Sequence, residues 1–140
     1  MTPISAKFLK TSNQINEKFK VDFRADNIYD INGGNTWVTS ANADYLLRTN
    51  DTDVLDFELI HVGQKGLKSG KVYFIYGDKK HREWILTDKG TTIYGKKFST
   101  NVPYKWIREV GEYVFLATEN GKVIVVDEKN RATNVPLLKV

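Results

Sequence analysis

The 140-residue sequence contains no cysteine, which excludes a disulfide scaffold, a thiolate metal site and a cysteine nucleophile. Histidine is almost as scarce. His61 and His81 are the only two; they stand in separate stretches, and His81 lies between the basic Lys80 and Arg82. Neither has a carboxylate placed to orient it as a general base, so both are expected at the surface. No run approaches the roughly 20 apolar residues that a membrane helix needs. The opening stretch MTPISAKFLKTSNQ has no apolar segment of the kind a signal peptide carries. These absences predict a soluble protein with no membrane partner, cytoplasmic or built into a particle. GxSxG, HExxH, the phosphate-binding loop and GxGxxG are all missing, so neither an enzyme nor a cofactor is expected. The acids Asp51, Asp53, Asp56 and Glu58 lack the loop glycine of a calcium-binding hand, and no metal site is predicted from them.

What is present is an ordinary globular composition, 41% apolar and 27% charged, in a chain of single-domain length. The net charge of +4 conceals an asymmetry. From His61 to Arg108 there are eleven Lys/Arg against three acids, whereas from Asp22 to Ile60 there are two Arg against eight acids. A split of this kind points either to an acidic or nucleic-acid partner, or to neighbouring units whose opposite charges attract.

Three stretches share one rhythm. Ile28–Asp51, Leu67–Gly90 and Trp106–Asn130 each run from a glycine turn through a strand, a polar turn and a second strand to an Asp-containing turn. Asp51, Asp88 and Asp127 mark these turns at intervals of 37 and 39 residues. A period of this size implies stacked supersecondary units. Residues 1–17 read as an irregular arm, and residues 18–140 as one all-β domain with repeats near 26–60, 64–100 and 104–138. Alternating or β-branched runs predict about ten or eleven short antiparallel strands. They fall at Lys18–Arg24, Trp37–Ser40, Tyr45–Thr49, Leu55–Leu59, Val72–Tyr76, Glu83–Thr87, Thr91–Tyr94, Trp106–Val110, Tyr113–Ala117 and Lys122–Val126. Asn120-Gly121 is the strongest hairpin signal, and Pro136 confines the last segment to an edge or loop.

The stretch TWVTSANADYLLRTND, with Thr49-Asn50-Asp51 at its end, resembles β-propeller blades of the sialidase or photosystem-assembly-factor kind. Leu86–Gly90 and Val126–Asn130 occupy the matching places in the other two copies. The resemblance implies blade-like four-stranded units. A closed propeller takes about four to eight of these, and the chain offers three. The sequence therefore leaves open a partial propeller-like array, completed by another chain, or a single sandwich or barrel.

Three functions fit this reading. The first is a non-catalytic structural or protein-binding module, self-associating or docked to a protein partner, for example an accessory component of a viral particle or tail. The second is a nucleic-acid binder using the basic segment 65–108. Its candidate residues are Lys68, Lys71, Lys79, Lys80, Arg82, Lys96, Lys97, Lys105 and Arg108, with Trp84 and Trp106 among the interleaved aromatics. Such cations neutralise phosphates and aromatic faces stack bases. In tandem hairpins, however, Tyr73, Trp84 and Trp106 also suit packing between sheets. The third is a carbohydrate-binding module offering Trp37, Trp84 and Trp106 at blade junctions.

Overall fold

The computed structural model describes residues 25–31, 35–40, 45–50, 57–61 and 71–135. The arm at Met1–Glu17, the strand expected at Lys18–Arg24, the first-repeat acids Asp51, Asp53 and Asp56, and Lys68 and Pro136 lie outside them. Within them the fold is all β, twelve strands in three antiparallel sheets of four.

Each sheet is an up-and-down meander in chain order. Sheet 1 holds β1 (Ala25–Ile31), β2 (Asn35–Ser40), β3 (Tyr45–Asn50) and β4 (Phe57–His61). Sheet 2 holds β5 (Val72–Gly77), β6 (Glu83–Thr87), β7 (Gly90–Ile93) and β8 (Ser99–Thr100). Sheet 3 holds β9 (Trp106–Val110), β10 (Tyr113–Ala117), β11 (Val123–Val126) and β12 (Ala132–Asn134). The sheets do not join into a closed barrel. The blade-like reading therefore stands. β1, β8 and β12 are the additions to the expected strands. β8 and β12 are only two and three residues long, too short for their alternation to stand out. As expected, the segment before Pro136 forms an edge strand.

The sheets stack face to face, with sheet 2 as the middle layer. Trp37, Leu46 and Ile60 of sheet 1 meet Ile75 and Ile85 of sheet 2. Trp84, Leu86 and Ile93 of sheet 2 meet Val114, Leu116, Ile124 and Val126 of sheet 3. This explains why β6 carries the unbroken apolar run Trp84-Ile85-Leu86 and is buried along its whole length. A strand covered on both faces has no wet side to alternate with. By contrast, β9 alternates between exposed and half-buried, and β10 between buried and more open positions, the signature of a sheet with one covered face.

The register corrects the repeat read from the aspartates. Asp88 follows the second strand of its sheet and Asp127 the third, so the two are not equivalent. The matching positions in sheets 1 and 2 are aromatic. Tyr29 pairs with Trp37 across β1–β2, and Tyr76 pairs with Trp84 across β5–β6. Both pairs are eight residues apart, and the second is offset by 47. Both tryptophans are fully buried. In sheet 3 the corresponding row is Glu109–Val114–Val126.

Three hairpin turns repeat one device. In Asp78–Arg82, Thr118–Lys122 and Asp127–Arg131 the first residue's amide donates to the fifth residue's carbonyl, at 3.1, 2.9 and 3.0 Å. The fourth residue's amide donates back to the first residue's carbonyl at 3.0, 3.1 and 3.1 Å. That fourth residue has positive φ: His81 at 63°, Gly121 at 91° and Asn130 at 63°. The first residue's side-chain oxygen then accepts the fifth residue's amide, at 2.9 Å on Asp78, 3.0 Å on Thr118 and 2.9 Å on Asp127. This is the three-residue hairpin loop whose left-handed residue forms a bulge.

Candidate functional site

The turns after first and third strands gather at one end of sheets 2 and 3, and most of the basic candidates fall there. Arg82 is not on the surface. It is 5% exposed, and its Nε donates at 2.6 Å to Oδ2 of Asp78, which is itself fully buried. Its Nη1 reaches into sheet 3, donating to the Asp127 carbonyl at 2.6 Å and to Asn130 Oδ1 at 2.9 Å. Trp84 Nε1 donates at 2.9 Å to the same Asp78 Oδ2, and the Arg82 guanidinium lies 5.3 Å from the indole. Asp78 thus accepts four hydrogen bonds, counting the Lys80 and Arg82 amides at 2.9 Å each. Arg82 and Trp84 lock sheet 2 to sheet 3 and present nothing to an outside ligand.

Lys79 and Lys80 stand above this lock and are already paired. Both reach Glu112, at 3.2 and 2.9 Å, and Lys80 also lies 3.8 Å from Glu128. The hydrogen bond from Lys80 holds the Glu112 carboxyl below its ordinary range, and Glu112 in turn raises the Lys80 pKa. Below them Tyr76 donates to Glu109 Oε1 at 2.7 Å, and Glu109 Oε2 accepts the Lys79 amide at 3.0 Å. Burial, reinforced by the Glu109 carboxylate, pushes the Tyr76 phenol up to about 12.

The other inter-sheet junction carries a second lock that sequence reasoning missed. Glu83 accepts from Asn35 Nδ2 at 2.9 Å, Trp37 Nε1 at 3.1 Å and Arg48 Nε at 3.1 Å. Arg48 lies 5.4 Å from the Tyr94 ring, and Tyr94 donates to Glu58 at 2.5 Å. Burial opposes the charge on Arg48, but the Glu83 carboxylate outweighs it and the guanidinium pKa rises. Glu58, whose side chain is still 36% exposed, is tied into this junction through Tyr94. The available signal was a charged residue beside each buried tryptophan: Glu83 before Trp84, and Arg48 opposite Trp37.

Trp37 and Trp84 are both fully buried, which removes them as sugar-stacking platforms. Trp106 is different. It is 54% exposed on the outer face of sheet 3, with Val110 at 51% and Tyr113 at 50%. The register places Arg108, Phe115 and Val125 in one cross-strand row of that face. Lys105, at its margin, pairs with Glu119 at 2.5 Å and lies 5.8 Å from the Trp106 ring. The opposite end of the stack differs, because Val38 and Leu47 on the outer face of sheet 1 are 3% and 2% exposed.

Of the remaining candidates, Lys71 is exposed, with its amide on Asp88 Oδ1 at 2.8 Å. Lys96 and Lys97 form the tip of the β7–β8 turn, where Gly95 takes φ +74°. With Phe98, Ser99, Lys129 and Asn130 they line an open cleft of about 810 Å³. No cluster of three or more His, Cys, Asp or Glu suited to a metal occurs among the described residues. Nor is there a helix long and apolar enough to cross a membrane among them.

Against known proteins, the chain matches no family model, and neither a curated protein nor a solved structure gives a significant match.

Proposed function

We propose that the chain is a non-catalytic assembly module whose docking surface is the outer face of sheet 3, met by the same face of a second copy. The observation that carries this is the co-facing group Trp106, Val110 and Tyr113, each about half exposed. Exposed apolar groups of this kind mark interaction sites. Inside the chain, faces with the same alternation pack against one another, so a like sheet is a fitting occupant. The unequal ends argue for pairing through two sheet 3 faces. A ring of two chains needs sheet 1 to be open as well, and Val38 and Leu47 at the centre of its outer face are 3% and 2% exposed.

Magnitude sets the strength. Four strands of about five residues, at roughly 4.8 Å spacing and 3.4 Å rise, give a footprint near 300 Å². A stable interface buries about 800 Å² per partner. Pairing through this face alone is therefore weak and concentration-dependent, as suits a component held in a larger particle by several contacts. A viral particle or tail accessory is one such setting.

The test is light scattering or sedimentation equilibrium over a wide concentration range. The expected result is a mass rising from 16.0 kDa towards twice that value, and a return to monomer in Trp106→Asp and Tyr113→Lys. A monomer at all concentrations overturns the proposal, as does a dimer that both variants leave unchanged.

A further inference from the structure

We infer that the cleft between the β7–β8 and β11–β12 turns is a binding site for the phosphate backbone of a nucleic acid, read without regard to base sequence. It is independent of the docking face of sheet 3. The inference rests on which cations the fold leaves uncommitted. Lys79 and Lys80 are taken by Glu112 and Glu128, Arg82 by Asp78, and Lys105 by Glu119. Lys96, Lys97 and Lys129 have no ion pair among the described residues, and all three line one cleft. Lys129 comes from sheet 3, outside the basic segment that the sequence singled out.

The acids that flank the cleft in sequence are directed elsewhere. Asp127 accepts the amides of Lys129 and Arg131, at 2.9 Å each, and the Arg131 Nε at 2.8 Å. Glu128 lies towards Lys80, and among the described residues no Asp or Glu lines the cleft. The two walls have fixed backbones. The β7–β8 turn is closed by Ile93 N to the Phe98 carbonyl and Lys96 N to the Ile93 carbonyl, both 3.1 Å. The β11–β12 turn is held by the Asp127 device, and Arg82 anchors it to sheet 2 through Asn130. Three ammonium groups are therefore carried on a hydrogen-bonded frame with no counter-charge among the described residues, as a polyanion requires.

The chemistry of the walls favours backbone over base recognition. Lysine is a point charge without the planar fork that reads base edges. Phe98, the aromatic of the cleft, is half-buried with its ring edge-on to Trp84 at 5.5 Å, so its packing is committed inward. Stacking of the kind that grips single-stranded bases is not provided.

Fluorescence anisotropy with a labelled random-sequence DNA duplex, titrated with the full chain at several salt concentrations, tests this. Three phosphate contacts predict a slope of log affinity against log salt of about −2.7, or about 40-fold weakening from roughly 50 to 200 mM salt. Lys96→Ala, Lys97→Ala and Lys129→Ala should each reduce the slope by about one and act alike on unrelated sequences. Lys71→Ala and Lys79→Ala should leave it unchanged. The inference is overturned if no binding occurs at low salt or if the three cleft variants bind as the wild type does. It is also overturned if polyglutamate binds as tightly as the duplex, which would make the site a general acidic-peptide groove. Because the cleft and the sheet 3 face are separate, Trp106→Asp should keep the salt slope, and loss of either property leaves the other standing.

Discussion

Asp78 and Asp127 head the same turn in different surroundings, and removing each in turn isolates what burial contributes. Both carboxylates accept two amides of their own loop, and both accept the Nε of the arginine four residues on. Asp78 and Arg82, however, are 0% and 5% exposed, while the Arg131 side chain is 72% exposed. Asp78→Ala leaves a buried guanidinium without its carboxylate and a buried indole N–H without an acceptor. Breaking a buried pair from one side costs about 3–5 kcal/mol, a large part of the roughly 5–15 kcal/mol that holds a domain together. Asp78→Asn keeps the oxygen facing the two amides but turns an NH2 towards Arg82 Nε and Trp84 Nε1. Losing one charged and one neutral hydrogen bond puts its cost at about 2–4.5 kcal/mol. Asp127→Ala gives up the same local bonds where water and salt replace them, and should move the midpoint only slightly. The assay is urea unfolding followed by tryptophan fluorescence, repeated in high salt. The Asp78 losses should persist in salt because a buried pair is poorly screened, whereas the Asp127 loss should shrink. Should Asp78→Ala not fold, the comparison of Asp78→Asn with Asp127→Ala still decides. Equal losses at the two positions would refute the argument that burial at the sheet 2–sheet 3 junction, and not the turn itself, makes Asp78 indispensable.

Trp84→Ala empties the largest buried site between sheets 2 and 3 and should cost about 3–5 kcal/mol in the same unfolding assay. Trp106→Ala, on an exposed site, should cost far less. In an ultraviolet titration one tyrosine, Tyr76, should ionise near pH 12 and vanish from that region in Tyr76→Phe. Its folded pKa is raised, so its contribution to stability is complete below pH 10 and is lost as pH climbs towards 12. The Asp127 carboxyl is held below its ordinary value, chiefly by the Arg131 amide. Its contribution is therefore present above the usual carboxylate pKa and is lost as pH falls through the folded value; a wild-type acid titration steeper than that of Asp127→Asn checks the sign. At Gly121, where φ is +91° and an added Cβ meets nothing within 4 Å, Gly121→Ala pays only backbone strain. That strain is about 1–2 kcal/mol. Gly121→Asn should cost less, since Asn130 already takes the same conformation in the sister turn.

Some of this was open to sequence reading and some was not. The strands Glu83–Thr87, Trp106–Val110 and Tyr113–Ala117 have clear β-branched and aromatic runs, and their bounds match. The period was visible, but the aspartates gave it the wrong register, because Asp is favoured in several different turns for different reasons. The Tyr-to-Trp spacing shared by Tyr29–Trp37 and Tyr76–Trp84 was the better marker, since it follows cross-strand pairing rather than turn chemistry. Of the basic candidates, Lys96 and Lys97 have no ion pair among the described residues, whereas Arg82 is paired with Asp78. Nothing in the string DKKHR distinguishes a buried arginine from the exposed lysines beside it.

By itself the sequence determined the class of the fold, because strand periodicity, turn residues and the repeat are local properties that the chain carries wherever it sits. It also determined that the units number three. Only the tertiary structure decided which faces meet. Stacking buried Trp37 and Trp84 on both sides of the middle sheet and left Trp106 in water on the last. It also decided which charges remain free, since pairing depends on distances between residues some 30 to 50 positions apart, such as Lys79 with Glu112 and Arg82 with Asn130. Exposure and charge neutralisation are properties of neighbours in space, and a chain read in order does not state who those neighbours are.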